Sequence, residues 1–284
     1  MLSTSKAEWG FPTKATAREL IRRNVPSGTF HRILLWWRYR LYLKFRIASV
    51  FTKRTANVRG YPSDDGSVLA NDLRRINVLA PTEMCSVMLW HGSDKSLVRH
   101  NYTSIYSALF KARRSQQLRI FELGLGTNNP KLISSMGELG TPGASLRAWR
   151  KLFPNASIYG ADIDRDILFE DDRIKTFYCD QLDRAAIDAL WSQPALKGGM
   201  DIIIDDGLHT VEGNLSFLDG SIEHLRPGGI YVVEDILTSV LGQWHDQLET
   251  IYSKRFPDCD FALIELPNSN NRYDNNLLVI RRPG

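Results

Sequence analysis

From residue 118 onward, apolar positions come in short runs that end abruptly in glycines or carboxylates. Residues 118–123, 157–161, 174–178 and 201–205 follow this pattern, and Ile230-Tyr231-Val232-Val233 repeats it after Gly228-Gly229. Short runs rich in Ile and Val read as strands buried on both faces of a sheet. Between them, residues 145–152, 185–190 and 211–225 leave room for helices, and Arg226-Pro227-Gly228-Gly229 stops the last of these. Residues 241–254 predict one more helix, and residues 261–266 and 277–281 predict an antiparallel pair around the polar loop 268–276. Strands alternating with helices at this spacing predict the α/β class: a doubly wound, mostly parallel sheet with a final antiparallel strand.

The pattern before residue 118 is different. Residues 1–28 are polar and broken by Gly10, Pro12, Pro26 and Gly28, and they predict an arm. Residues 31–51 predict a long helix, with Leu34, Trp37, Leu41, Phe45 and Ala48 on one narrow stripe among Arg32, Arg38, Arg40, Lys44 and Arg46. The narrow arc favours packing on the rest of the chain or on a second subunit. The alternative is peripheral membrane contact through residues 29–54, because a basic, aromatic helix can lie on an anionic surface. A shorter helix is predicted over residues 104–114. The chain thus divides into a basic, partly helical segment (1–60), a connector (61–91) and a catalytic domain (92–284).

A chain of 284 residues can bury a full α/β core with one appendage. Its net charge of +4 conceals an asymmetry, since residues 1–60 carry 13 Lys and Arg against two acids. Those cations are spread round the predicted helix with no base-reading module, so a nucleic-acid-binding protein is the weakest of the rival readings. Cys85, Cys179 and Cys259 are odd in number and widely spaced. They suggest neither a disulfide framework nor a zinc site, and point to a cytoplasmic setting. No apolar leader opens the chain, and no uninterrupted apolar span of about 20 residues occurs, so neither a secretory signal nor a transmembrane helix is expected.

Two strand ends carry most of the candidate chemistry. Asp205-Asp206-Gly207-Leu208-His209 closes one run and Glu234-Asp235 closes the next. Parallel neighbours joined by a crossover helix bring Asp206, Glu234 and Asp235 to one edge of the sheet, with His209 one turn away. Crowded carboxylates repel unless a cation neutralises them, and hard oxygen ligands favour Mg²⁺, with Mn²⁺ as a substitute. His209 is the candidate general base, since an unperturbed imidazole is largely neutral at working pH. The competing reading has such acids merely cap helices or meet solvent, and the histidine cap the following helix or bind the metal itself.

The earlier strand ends suggest a nucleoside. Glu122-Leu123-Gly124-Leu125-Gly126 is a glycine turn that lets backbone approach a ligand. No helix follows it directly, so a pyrophosphate has no helix amino terminus to bind and NAD or FAD is disfavoured. Asp162 ends the next strand, placed to accept hydrogen bonds from ribose hydroxyls. Asp180-Gln181 ends the third, where an acid or amide can read an adenine amino group. Together they describe a pocket for an adenosine without phosphates, and S-adenosylmethionine is the obvious candidate.

Taken in order, these features resemble the class I methyltransferases, and within them the metal-dependent macrolide-sugar O-methyltransferases of the macrocin and mycinamicin type. The likeness runs over residues 92–282. It includes Gly92-Ser93-Asp94-Lys95, His100 with Tyr102, Ala144-Ser145-Leu146-Arg147-Ala148-Trp149 and Asp274-Asn275-Asn276-Leu277. The resemblance implies a Rossmann-like methyltransferase sheet with Glu122, Gly124, Gly126, Ser145, Asp162, Asp180, Gln181 and Asp205 around S-adenosylmethionine. It also implies Mg²⁺ on Asp206, Glu234 and Asp235, and His209 as the base. The expected reaction is methyl transfer to a hydroxyl of a sugar or glycan by a homo-oligomer. A non-sugar natural-product hydroxyl is the alternative acceptor, using the same donor and metal. Leu208 stands where a serine is usual, the loop 127–143 is unusually long, and the basic segment 1–60 has no counterpart. No two-histidine, one-carboxylate iron site supports an oxidising relative.

Overall fold

A computed structural model describes residues 27–63, 66–137, 140–268 and 271–284. The arm expected over residues 1–28 lies outside the described residues as far as residue 26. The described strands are β1 (Asn57–Tyr61), β2 (Arg119–Leu123), β3 (Ser157–Asp162), β4 (Glu170–Asp171), β5 (Ile174–Tyr178), β6 (Met200–Asp205), β7 (Leu225–Ile236), β8 (Asp260–Glu265) and β9 (Asn276–Arg281). They form one sheet in the order β1-β8-β9-β7-β6-β2-β3-β5-β4. The five central strands, β7-β6-β2-β3-β5, are parallel, while β9, β8 and β1 continue one side antiparallel. The chain winds outward from β2 through β3 to β5, then returns to β6 and β7 on the other side. This places the reversal between β2 and β6, the position where open α/β sheets receive ligands at the strands' carboxyl ends.

Helices cover both faces. On one face, Leu69 and Leu73 of α2 (Val68–Arg74), Met84 and Met88 of α3 (Glu83–His91), Tyr106 and Phe110 of α4 (Tyr102–Phe110) and Trp149 of α5 (Ala144–Leu152) pack against Ile120, Ile158, Ile202, Ile204, Ile230 and Val232. On the other, Ile187 and Trp191 of α6 (Arg184–Trp191), Phe217 of α7 (Val211–Ser221) and Trp244 of α8 (Leu241–Gln247) pack against Phe121, Ile203, Tyr231 and Val233. Alternate residues of each central strand thus enter opposite cores, as the two-residue period of an extended chain requires.

Three expectations change at the edges of this fold. Residues 61–91, read as a connector, carry α2 and α3, and β1 pairs antiparallel with β8. Their buried positions, Leu69, Ala70 and Leu73 in one helix and Met84, Cys85, Met88 and Leu89 in the other, keep helical spacing over only about two turns each, too short a run for the period to stand out in sequence. The predicted helix over residues 241–254 breaks into α8, a π turn over Leu248–Tyr252 and a last helical turn, Ser253–Arg255. Arg226-Pro227-Gly228-Gly229 lies inside β7 rather than before it, and a short 3₁₀ turn, Ile222–His224, ends the crossover. The β6–β7 register slips between Met200 and Ile202, and Gly228 absorbs the irregularity at φ 70°.

The long amino-terminal helix is present as α1 (Ser27–Phe51), lying against α3. Of the stripe predicted for it, Trp37 and Ala48 are exposed, and the side chains of Leu34, Leu41 and Phe45 lie outside the described residues.

Candidate active site

The ends of β2, β6 and β7 lie abreast, with Leu123 opposite Asp205 and Asp205 opposite Val233. The segments that leave these strands therefore meet over the reversal point. Gly124 turns at φ 88°, and a Cβ there would stand 1.9 Å from the Asp206 carbonyl oxygen. Gly126 turns at φ 78° against Met136, which would meet a Cβ at 2.0 Å. Both positions need glycine for conformation, and Gly124 also for space, since it faces backbone whereas Met136 is a flexible side chain.

A single cavity of about 500 Å³ opens here, a size typical of small-molecule sites. Gly124, Gly126, Asp162, Asp180 and Gln181 line one part of it, and Asp206, His209 and Asp235 line another. Residues 131–136 of the long loop form a further wall. Asp162 accepts hydrogen bonds from the amides of Leu125 (2.7 Å) and Asp164 (2.9 Å), which tie the glycine turn to the end of β3. Burial raises its pKa against those bonds. Gln181 is already engaged: its amide nitrogen donates to Asp205 at 2.9 Å and its oxygen accepts from the Leu208 amide at 2.7 Å.

Glu122, Ser145 and Asp205 stand behind the cavity. Glu122 accepts from Ser145 Oγ at 2.5 Å and from Trp149 Nε1 at 2.6 Å. Asp205 accepts from Gln181 and from Asn214 Nδ2 (3.0 Å), and burial pushes its pKa up to about 7. Strand alternation explains this placement. Glu122 belongs to the face of Ile120 and Asp205 to the face of Ile203, each pointing into a core rather than along the strand axis.

The two acids near the end of β7, Glu234 and Asp235, meet different partners, and Asp235 leaves the extended conformation at φ 53°. Glu234 faces the side of α3–α5, where Lys95 Nζ reaches it at 2.6 Å and the Tyr106 hydroxyl donates to it. Lys95 also lies 2.5 Å from Asp206 Oδ2 and 3.5 Å from Glu122 Oε1, and is almost wholly buried. Burial alone would lower its pKa, but Asp206, Glu122 and Glu234 outweigh it and keep the ammonium charged. The three acids expected to converge are therefore divided. Among the described residues, the group that brings ligand atoms within 4.8 Å of one another is Asp206, His209 and Asp235.

His209 Nε2 lies 3.2 Å from Asp206 Oδ1, and Nδ1 lies 3.6 Å from Asp235 Oδ2. Tyr102 donates its hydroxyl to Asp235 Oδ1 at 2.6 Å, and His100 Nδ1 stands 3.4 Å from the same oxygen. His209 does not cap α7, because Thr210 does so by accepting from the Gly213 amide. The expectation of a largely neutral His209 also changes. Burial lowers its pKa, but the hydrogen bond to Asp206 and the charge of Asp235 outweigh this and push it up to about 10. His209 and Asp235 adopt φ 60° and 53°, so two of the three described non-glycine residues with positive φ lie in this cluster. Non-glycine residues held there are costly, and such strain concentrates at functional sites.

The donor set suits a hard divalent cation. Asp206 and Asp235 offer carboxylate oxygens, His209 stands beside them, and the open cavity leaves room for water or acceptor oxygens. Sequence reasoning missed Lys95 and Tyr106 as parts of this site. Lys95 was visible only as the last residue of Gly92-Ser93-Asp94-Lys95, and no local period shows that it crosses to β6 and β7.

No protein-family model matches the chain. It is 32% identical over 179 residues to the 8-demethyl-8-alpha-L-rhamnosyl tetracenomycin-C 2'-O-methyltransferase of Streptomyces olivaceus, covering 63% of this chain and 43% of that protein. It is 36% identical over 140 residues to the demethylmacrocin O-methyltransferase of Streptomyces fradiae, covering 49% of this chain and 33% of that one. The matches thus span less than half the length of these curated relatives. In structure it is similar to the methyltransferase MycE of the mycinamycin biosynthetic pathway, solved in complex with Mg and SAH. That likeness has a TM-score of 0.53 and 25% identity, and covers 71% of this chain and 55% of the other. The chain is therefore similar in sequence to sugar O-methyltransferases and has the Rossmann-like fold of class I methyltransferases.

Proposed function

We propose that this protein transfers a methyl group from S-adenosylmethionine to a hydroxyl of a sugar or glycan, with a divalent cation such as Mg²⁺. The observation that carries this reading is the single cavity that joins Gly124 and Asp162 to Asp206, His209 and Asp235. The relatives' names and the Mg and SAH of the MycE complex support the same reaction.

Asp162 accepts from the donor's ribose hydroxyls with the lone pairs its two backbone bonds leave free. Ile163 and Leu182, exposed on the cavity wall, offer apolar surface to the adenine, and Asp180 is the acid beside them. Gln181 acts indirectly, holding Asp205 and the Leu208 backbone in place.

Asp206 and Asp235 hold the cation, and Glu234 supports Asp206 through Lys95. When bound, the cation supplies positive charge that lowers the acceptor hydroxyl's pKa. His209 takes the hydroxyl proton as general base once the charge of its two acidic neighbours is compensated, a role worth typically 10²–10⁴-fold in rate. Asp235 is kept in position by Tyr102 and His100. Holding acceptor and donor in one cavity supplies much of the remaining acceleration. The acceptor enters beside Asp94, Arg99 and Asp274, which line the cavity next to Asp235. The working form in this reading is a homo-oligomer in the cytoplasm.

Incubation with methyl-labelled donor, Mg²⁺ and a panel of sugars, glycolipids and glycosylated metabolites tests the proposal. Label transferred to a sugar hydroxyl supports it. Transfer only to non-sugar phenols or alcohols would replace the acceptor class while keeping the chemistry.

A further inference from the structure

We infer that the outer face of α1 is a docking surface for an anionic lipid membrane. The face is not the stripe that the sequence pattern singles out. Trp36, Tyr39, Leu43, Ile47 and Val50 recur at spacings of three and four and fall within an arc of about 80° on a helix of 3.6 residues per turn. Four of them are strongly exposed: Trp36 at 54%, Tyr39 at 56%, Ile47 at 64% and Val50 at 76%. An amphipathic helix normally turns such a stripe inward, so a row of exposed aromatic and branched side chains needs an occupant.

Charge identifies the occupant. α1 carries five cations and no acid, and residues 27–59 hold eight Lys and Arg without an Asp or Glu. Arg46 borders the stripe on one side, and Arg40 and Lys44 on the other, all exposed. The Arg40 guanidinium lies 4.9 Å from the Trp36 ring centre. A second copy of α1 would meet this face with the same cations and be repelled, whereas an anionic headgroup layer complements them.

The neighbouring surface extends the same character. Trp90 of α3 is 70% exposed and joins Trp36, Tyr39, Tyr42 and Leu89 around an aromatic cleft of about 330 Å³. The Ser86 hydroxyl donates to Tyr42 at 2.9 Å and fixes α1 on α3. Next to Trp90, burial and the charges of Arg150, Arg147 and Lys151 all lower the pKa of His91, so α5 adds positive potential to this side. Tryptophan and tyrosine beside Lys and Arg are the side chains that favour the headgroup level of a bilayer. No helix among the described residues is long and apolar enough to cross a membrane, and α1 is suited to lie in its surface.

Co-sedimentation of the full chain with phosphatidylcholine vesicles, with and without phosphatidylserine, tests this. Binding should be at least about tenfold stronger with phosphatidylserine and should fall as salt is raised. Ile47→Asn with Val50→Asn removes two of the stripe's five apolar side chains, and Arg40→Glu with Lys44→Glu and Arg46→Glu reverses its borders. Each set should cut vesicle binding about tenfold or more while the thermal transition stays put, because all five side chains are exposed. Equal or no binding to the two vesicle types would overturn the inference. So would a concentration-dependent dimer that Ile47→Asn with Val50→Asn dissociates while vesicles bind nothing, since a second copy would then cover the face.

Discussion

Lys95 Nζ lies 2.6 Å from Glu234 Oε2 in a region closed to solvent, so the acid that ends β7 on the α3–α5 side meets an internal cation. The same ammonium is 2.5 Å from Asp206 Oδ2, which leaves Asp206 Oδ1 directed at His209. Burial alone would raise the Asp206 pKa, yet Lys95 and His209 hold it well below the usual carboxylate range. The floor of the site is thus built around one ammonium: Asp206 is held in its charged form, while burial raises the pKa of Glu234 and Glu122 against the attraction of Lys95.

Lys95→Met should therefore leave Glu234 and Glu122 without a cationic partner, with only the hydrogen bonds from Tyr106, Ser145 and Trp149. Removing one member of a buried pair costs about 3–5 kcal/mol, and urea unfolding of the variant measures it. A loss below about 1 kcal/mol, the range of exposed pairs, would mean that Lys95 contributes nothing beyond an exposed contact.

Gly124→Ala puts a methyl group against the Asp206 carbonyl at a backbone angle that L-residues avoid. Donor affinity and turnover should both fall sharply, because the glycine turn and the Asp206 segment must move apart. Calorimetry with S-adenosylhomocysteine and a turnover assay read the two effects. Parent-like values for both would show that these segments are free to separate.

The parallel sheet, its order of strand ends and the pairing of the last two strands were legible because each run has a clean boundary of glycine or acid. Gly124, Gly126, Asp162 and Asp206 were visible for the same reason. The orientation of Glu122, Asp205 and Glu234 was not, because the boundary of a run does not show which of two cores an acid's own parity sends it into. Lys95 was missed as a partner because its contacts lie 111 and 139 residues away in sequence. On α1 a narrow stripe was legible; its described members Trp37 and Ala48 are exposed, and so is a second stripe that includes Trp36 and Ile47.

Asp162→Ala should weaken donor binding by roughly 1.5–3 kcal/mol, the range for hydrogen bonds to a charged group. Part of the loss arises from the freed Leu125 and Asp164 amides, which Asp162 now restrains. Titration calorimetry with S-adenosylhomocysteine provides the number. Undiminished affinity would remove Asp162 from the donor site.

His209→Ala separates a base from a metal ligand. As the base, its loss should lower turnover by 10²-fold or more, a typical size for general-base catalysis, while donor and Mg²⁺ affinities change little. As a ligand, its loss should weaken Mg²⁺ binding, and excess Mg²⁺ should restore activity. Turnover within a few-fold of the parent would deny it both roles.

The most direct measurement of the central claim is transfer of a labelled methyl group to a sugar acceptor, with Mg²⁺ and after exhaustive chelation. It is made on the parent chain and on Asp206→Asn and Asp235→Asn. Chelation should abolish transfer and Mg²⁺ restore it, and neither variant should support it although both retain the parent's affinity for S-adenosylhomocysteine. Full transfer after chelation, or undiminished transfer by both variants, would contradict it.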